Sequence, residues 1–127
     1  MLRKSRPQRL PLPSRQRTKS QGEAQLNRVE LVGVLTERKA LRYTPAGVPV
    51  SECVIGHRSE QVEAGHPRQV ECELPAVALG DNAKWLQAAT PGIEVKVTGF
   101  LAQRSQRSRQ LRLHINTIEF TEGKQNG

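Results

Sequence analysis

The sequence predicts an all-β domain, a five-stranded barrel with one short helix between its third and fourth strands. From Asn27 onward, apolar and polar residues alternate in short stretches that are separated by turn residues, a pattern typical of strands. A single segment, residues 81–89, has helical spacing, and it lies between the third and fourth of these stretches. The length of 127 residues suits one domain and leaves little room for a second core.

The first three strands follow from the alternation. Residues 29–35 form the first, in which Gly33 marks a point where the strand bulges or bends sharply. A turn follows at 44–47. Residues 48–58 and 68–78 are then expected to form a hairpin pair joined by a polar loop.

The same alternation assigns the faces of the hairpin. Cys72 falls on the apolar side between Val70 and Leu74. Cys53 falls on the apolar side of the preceding strand, and Glu71 points to solvent. We expect both cysteines to be buried thiols, because no CxxC spacing supports a zinc site or a disulfide framework.

The remaining elements complete the order of a known barrel. Asp81 is the expected N-cap of the helix, which residues 90–92 end, and Trp85 is expected to plug the barrel end or to lie in an interface. Two more alternating strands follow, around residues 93–101 and 111–115. Three strands, a helix and two strands is the order of the five-stranded Greek-key oligonucleotide-binding (OB-fold) barrel.

The net charge of +8 is unevenly distributed. Residues 1–25 carry seven Lys or Arg against Glu23 alone, so most of the excess lies there. Their composition predicts a disordered basic N-terminal arm, residues 26–121 the barrel, and residues 122–127 a flexible C-terminal end. The N-terminal arm either adds attraction for phosphates or has no role, and both interpretations remain open.

Two clusters of cations are candidates for binding phosphates. One lies in a segment without acidic residues, expected to be a flexible loop at one lip of the binding groove: Arg104, Arg107, Arg109 and Arg112. The other precedes the turn at 44–47 and is partly offset by Glu37: Arg38, Lys39 and Arg42. Each cluster would flank the groove on one side.

Phe100 is the most informative of the four aromatic residues. On strict alternation it shares a face with Lys96 and Thr98, beside the cationic groove, where a ring is able to stack on a base. A bulge after Gly99 would instead turn it into the core. Both interpretations remain open at this stage.

The sequence gives little support to catalysis or to a membrane location. His57, His66 and His114 are dispersed, and no nucleophile elbow, HExxH motif or glycine-rich phosphate loop is present. We therefore expect no enzyme activity, cofactor or metal. No apolar run approaches the roughly 20 residues of a membrane helix, and prolines between Pro7 and Pro13 disfavour a transit peptide.

Several short motifs resemble one family. They are Asn-Arg-Val-Glu-Leu-Val-Gly at 27–33, Thr-Pro-Ala-Gly-Val-Pro at 44–49, Glu-Cys-Val-Ile-Gly-His-Arg-Ser at 52–59, Glu-Ala-Gly at 63–65, Arg-Gln at 68–69, Val-Thr-Gly-Phe at 97–100 and Leu-His at 113–114. Over residues 26–121 the chain resembles the primosomal replication protein N family. The His-Arg-Ser motif, followed by Ala-Gly and Arg-Gln, separates that family from ordinary single-stranded-DNA-binding proteins.

The resemblance implies a homodimer of barrels in the bacterial cytoplasm. It would bind single-stranded DNA, and it would contact the restart helicase and other primosome proteins when replication is reloaded at stalled forks. The candidate DNA-binding residues are Arg38, Lys39, Arg42, Arg58, Arg68, Phe100, Arg104, Arg107, Arg109 and Arg112. Of these, the resemblance supports Arg42, Arg58, Phe100 and the loop at 104–112.

The chain departs from the family pattern at two positions. Glu71 stands where relatives can carry a tryptophan, and His66 replaces an aromatic residue at the hairpin. Because a carboxylate repels phosphate and does not stack, the alternative of a primosome adaptor with only secondary DNA contact is retained. A hydrolase is a third, weaker alternative, since no set of acid, base and nucleophile is visible.

Overall fold

A computed structural model describes residues 24–121, in which six strands and one helix are complete. The elements in chain order are β1 (Val29–Arg38), β2 (Arg42–Tyr43), β3 (Pro49–Glu63), β4 (His66–Leu79), α1 (Asp81–Gln87), β5 (Glu94–Ser105) and β6 (Ser108–Phe120). The expected C-terminal end and all but the last two residues of the expected N-terminal arm lie outside the described residues.

The sheet closes into the predicted barrel. Its strand order is β1-β5-β6-β4-β3-β2, and a further antiparallel pairing of β1 with β3 joins the two sides. All pairings are antiparallel except that of β4 with β6. The five-stranded Greek-key barrel is thus confirmed, with the two-residue β2 added at the edge of β3.

The interior is filled by the residues that alternation places inward. Leu35, Ile55, Val97 and Leu113 are each 1% exposed or less. Gly33 lies in this interior, but the irregularity in β1 falls between Leu35 and Glu37. Gly33 instead allows β1 to approach β3 closely, because a Cβ atom there would lie 2.5 Å from the Gly56 carbonyl oxygen on β3.

Both hairpins are longer than predicted. The polar segment expected as a loop between β3 and β4 continues as paired strands to a two-residue turn, Ala64 (φ 53°) and Gly65 (φ 80°). A two-residue turn with positive φ at both positions has a backbone twist that matches the twist of the two flanking strands. We name residues 58–71 the β3–β4 arm, or simply the arm, as distinct from the N-terminal arm at 1–25. Its strands extend past the barrel core, where both faces meet solvent, so their polar composition resembles that of a loop.

The arginine-rich segment is also a hairpin. β5 and β6 pair as far as Ser105 and Ser108, so only residues 106 and 107 form the turn, and the predicted flexible loop is wrong. As in the β3–β4 hairpin, the segment has no apolar alternation, so its sequence does not indicate that it forms strands. The consequence is that the arginines project from a paired backbone.

The helix ends at Gln87, two residues before the predicted end, and its N-cap also differs from the prediction. Asp81 is its first residue and makes no capping hydrogen bond, since Gly80 occupies the N-cap. Ala83 and Leu86 close the barrel end, whereas Trp85 is 60% exposed. Of the two positions predicted for Trp85, the barrel plug is therefore wrong, and the interface stays a prediction. Three-residue spacing places Ala83 and Leu86 on one helix face and turns the larger ring away.

No helix within residues 24–121 has the length and apolarity to cross a membrane.

The two cysteines lie in different environments. Cys53 is 4% exposed, and burial raises the pKa of its thiol to about 12. Cys72 has the predicted orientation, opposite His57 on β3, but it is exposed, so its predicted burial is wrong. The reason is the extension of the hairpin beyond the barrel core.

We predict that the two thiols react at different rates. In the native protein at pH 8, a colorimetric thiol reagent should modify Cys72 quickly and Cys53 only on unfolding, because the Cys53 thiol is both buried and protonated. Cys72→Ser should abolish the fast phase and Cys53→Ser should preserve it. Equal rates for both thiols in native protein would contradict the packing described.

Candidate nucleic-acid interface

Four strands present a continuous outer face. In register, Glu52 on β3 pairs with Val77 on β4, Val77 with His114 on β6, and His114 with Phe100 on β5. Paired residues point to the same side of a sheet, so these four side chains form one row on the outer side of the sheet, in which Val77 is buried at 1% exposure. We name this surface, on β3, β4, β6 and β5, the outer face.

Phe100 and His114 form a stacked pair on the outer face. Their ring centroids are 5.0 Å apart and their planes differ by 8°. The sheet does contain an irregularity near Gly99, but Thr98 pairs with Thr117 and Gly99 with Ile115, so the extra residue lies in β6. Alternation in β5 is unbroken, and Phe100 stays outside, 38% exposed.

His114 is held in a partly buried, cationic environment. Burial lowers the pKa of its imidazole, and the charge of Arg112 lowers it further. The lowered pKa favours the neutral imidazole, which suits stacking against Phe100. We name the two rings the aromatic platform.

Beside the platform, a groove of about 170 Å³ runs between β3 and the β5–β6 hairpin. Its cationic lining comes from Lys39, Arg104 and Arg112, and its acidic lining from Glu37 and Glu52. The structure thus brings members of both predicted cation clusters to one groove. They flank it as the barrel topology predicts.

Other predicted cations have partners within the protein. Arg38 donates hydrogen bonds to the carbonyl oxygens of Gln87 and Ala89 at the end of α1, which gives it a structural task. Arg42 forms an ion pair with Glu52, at 2.6 Å between Nη2 and Oε2. Arg38 is therefore removed from the candidate set.

The cations of the arm are neutralised across the hairpin. Arg58 pairs with Glu71 at 2.6 Å, directly opposite it in register, and Arg68 pairs with Glu63 at 2.9 Å. Glu71 does lie on the outer face, as alternation predicts. The Glu71 carboxylate therefore occupies one of the candidate arginines, Arg58.

The β5–β6 hairpin retains its charges. Within residues 24–121, no ion pair or side-chain hydrogen bond involves Arg104, Arg107 or Arg109, and all three are exposed. Arg112 is half-buried, and its Nε has no hydrogen-bond partner among the described residues. These four arginines therefore keep capacity for an external anion.

Sequence reasoning missed two residues of this surface, His114 and Glu52. His114 shares its predicted face with Arg112, which is a signal, but its stacking on Phe100 depends on the register between β5 and β6. The alternation predicts Glu52 to lie in a strand but does not indicate a functional role for it. Its contacts with Arg42 and Lys39 depend on the path of the β2 segment.

A larger concavity of about 830 Å³ lies on another side of the barrel. It is lined by the outward side chains of Val32 and Val34 on β1 and by His57 and Cys72 at the base of the arm. His57 Nδ1 lies 2.8 Å from the Val32 carbonyl oxygen and fixes the arm against β1. Both valines are partly exposed there.

Comparisons with known proteins identify the family of this chain. The family model described as another single-strand binding protein family matches residues 27–117. The replication restart protein PriB of Bordetella pertussis is 47% identical over 90 residues, covering 71% of this chain and 84% of the relative. The PriB protein of Neisseria meningitidis serogroup B is 40% identical over 97 residues, covering 76% and 96%.

Solved structures give the same result. The PriB protein of Ralstonia solanacearum matches with a TM-score of 0.69 and 38% identity, covering 76% of this chain and 98% of that one. The single-stranded DNA binding protein of Thermus aquaticus matches with a TM-score of 0.65 and 25% identity, covering 79% and 52%. The chain therefore belongs to the single-strand binding protein family and, within it, to the replication restart PriB proteins.

Proposed function

We propose that this chain binds single-stranded DNA on its outer face, as a component of the primosome that restarts replication in the bacterial cytoplasm. The observation that carries the proposal is the aromatic platform of Phe100 and His114 beside the unpaired arginines of the β5–β6 hairpin. The relatives are named as replication restart proteins. The chain performs no chemistry on the DNA.

The aromatic platform supplies the base contact. A base that stacks on an aromatic side chain gains about 1–3 kcal/mol, and every base has a face that can stack. Phe100 is 38% exposed while its ring is already held by His114, so little side-chain entropy is lost on binding. Binding is therefore expected to tolerate most sequences.

The arginines supply the phosphate contacts. Arg104, Arg107 and Arg109 project from a paired hairpin instead of a flexible loop, so their spacing is set before DNA arrives. Guanidinium groups bind phosphate through two parallel hydrogen bonds. Without an anion these charges repel one another, and DNA relieves that repulsion.

A partner contact is the second part of the proposal. We propose that the restart helicase and other primosome proteins bind this chain, and Trp85 favours such a contact because 60% of it is exposed on α1. Exposed tryptophan is enriched where proteins meet. The adaptor alternative, with only secondary DNA contact, rests on the same residue and on the neutralised arm.

We also propose that the chain is a homodimer. Val32 and Val34 are apolar, point outward from β1 and line the 830 Å³ concavity, where a second copy would bury them. The arm beside them would extend the contact. A two-fold arrangement would place two outer faces in one particle.

Replacing arginines of the hairpin should weaken DNA binding in a salt-dependent manner. Arg104→Ala with Arg107→Ala should lower the affinity for a labelled oligothymidylate and make the slope of log affinity against log salt shallower by about 1.4, because two phosphate contacts are lost. Fluorescence anisotropy at several salt concentrations measures both. The control, Arg28→Ala with Lys84→Ala, removes the same charge elsewhere, and an equal loss in the control would contradict the proposed surface.

Changing Glu71 should increase DNA affinity. Glu71→Gln frees Arg58 from its 2.6 Å ion pair, so affinity should rise at low salt and the gain should shrink at high salt. Glu71→Trp should add about 1–3 kcal/mol if the new ring stacks a base. Adding Arg58→Ala to Glu71→Gln should remove the gain, and no change in any variant would show that DNA does not reach the arm.

Breaking the apolar contact should give monomers. Val34→Lys introduces a charge into the proposed interface and should halve the molecular mass measured by sedimentation equilibrium. Trp85→Lys, on α1 outside the concavity, is the matched control and should leave the mass unchanged. A monomeric wild type, or a monomer from the control alone, would contradict the proposed interface.

A further inference from the structure

Three cations converge on one carboxylate in the groove beside the aromatic platform. Glu52 accepts a hydrogen bond from Arg42, at 2.6 Å, and its other oxygen lies 3.9 Å from Lys39 Nζ. Its side chain is only 20% exposed, whereas those of Arg42 and Lys39 are 54% and 66% exposed. The carboxylate is thus the more buried partner, and the two cations are more exposed to solvent.

Arg112 is the third cation. It lines the same groove from β6, and its charge helps to hold the pKa of the Glu52 carboxyl below its usual range, after the larger effects of Arg42 and Lys39. Its buried Nε has no hydrogen-bond partner among residues 24–121. A buried donor without an acceptor is destabilising, and an oxygen ligand in the groove would supply that acceptor.

The groove has room for such a ligand. Its volume of about 170 Å³ exceeds the roughly 30 Å³ that one water occupies in the liquid several times over. Val54, Pro75 and Leu111 contribute its apolar lining. Arg104 of the β5–β6 hairpin also lines the groove.

We infer that this groove holds one phosphate of the bound DNA strand, and that Glu52 occupies the phosphate's cations until the strand displaces it. The inference rests on the proposed function and adds a defined phosphate position with its competitor. A carboxylate and a phosphodiester both offer singly charged oxygen acceptors, so the exchange conserves the ion pairs of Arg42 and Lys39. Its cost is the return of the Glu52 carboxylate to water beside the phosphate.

The consequence is that Glu52 limits affinity. The charged groups around Glu52 are cations except Glu37, which also lines the groove. They are Lys39 after β1, Arg42 on β2, Arg112 on β6 and Arg104 on β5. Removing the internal anion leaves the cations for DNA alone. Glu52 therefore acts on affinity and on its salt dependence together.

The deciding variant is Glu52→Gln in the full-length protein. Glutamine keeps the shape and an acceptor for Arg42, and the backbone bond from Lys39 N–H to the Glu52 carbonyl oxygen is unaffected. Anisotropy titration with labelled oligothymidylate should show binding tighter by about three- to tenfold at low salt, with a steeper salt slope. Circular dichroism and thermal unfolding verify that the fold is unchanged.

The controls separate a specific phosphate position from net charge. Glu30→Gln makes the same charge change at an exposed carboxylate paired with Arg28, and should leave the affinity nearly unchanged. Adding Lys39→Ala to Glu52→Gln should remove the gain, whereas adding Lys84→Ala should not. An equal gain from Glu30→Gln, or a gain that survives Lys39→Ala, overturns the inference.

The outcomes also distinguish this inference from the proposed function. If wild type binds the labelled strand and Glu52→Gln binds no tighter, the inference is overturned and the proposed function stands. If neither protein binds at any salt concentration, both are overturned. Weaker binding by a folded Glu52→Gln variant would show that the carboxylate positions the cations instead of competing for them, and this too overturns the inference.

Discussion

Closure of the barrel depends on the close crossing of β1 and β3. β1 pairs with β5 from Val29 to Val34 and then with β3 from Val34 to Arg38, so one strand joins both sides of the sheet. The crossing is possible because Gly33 has no Cβ atom to strike Gly56. Once the barrel is closed, every other residue of its strands must face outward, and the outer face becomes available for ligands.

Charge pairing on that outer face determines how strongly each region attracts phosphate. The arm carries Arg58 and Arg68, but acidic partners neutralise both, while the β5–β6 hairpin keeps its arginines unpaired. Exposed ion pairs contribute little to stability, so their main effect here is on the surface potential. For the proposed DNA binding, we therefore expect affinity to be concentrated beside Phe100 and His114, with Glu52 and Glu71 each reducing it locally.

The parts of the fold that bury apolar side chains could be predicted from the sequence. Alternation identified the barrel strands, placed Phe100 and Glu71 outside, and gave the position of α1, because a one-residue shift would expose the core. It failed for the polar ends of both hairpins, where neither face is buried. It also failed for the burial of Cys72 and for the barrel-plug alternative of Trp85, since burial depends on where the core ends and not on the face alone.

The candidate site was only partly accessible to sequence reasoning. Residue types indicated which arginines and which aromatic residue to consider. The ion pairs of Arg42, Arg58 and Arg68, and the role of Arg38 at the end of α1, depend on register and on chain path, which the sequence does not specify. The stacking of His114 on Phe100 is of the same kind.

The most direct test of the account is a map of backbone amide chemical shifts during titration with an oligothymidylate. We expect the largest changes in β5 and β6 from Phe100 to His114 and around Glu52, with small changes in α1 and at Val32 and Val34. Changes centred on Trp85, or confined to the concavity beside β1, with an unchanged β5–β6 hairpin, would contradict it.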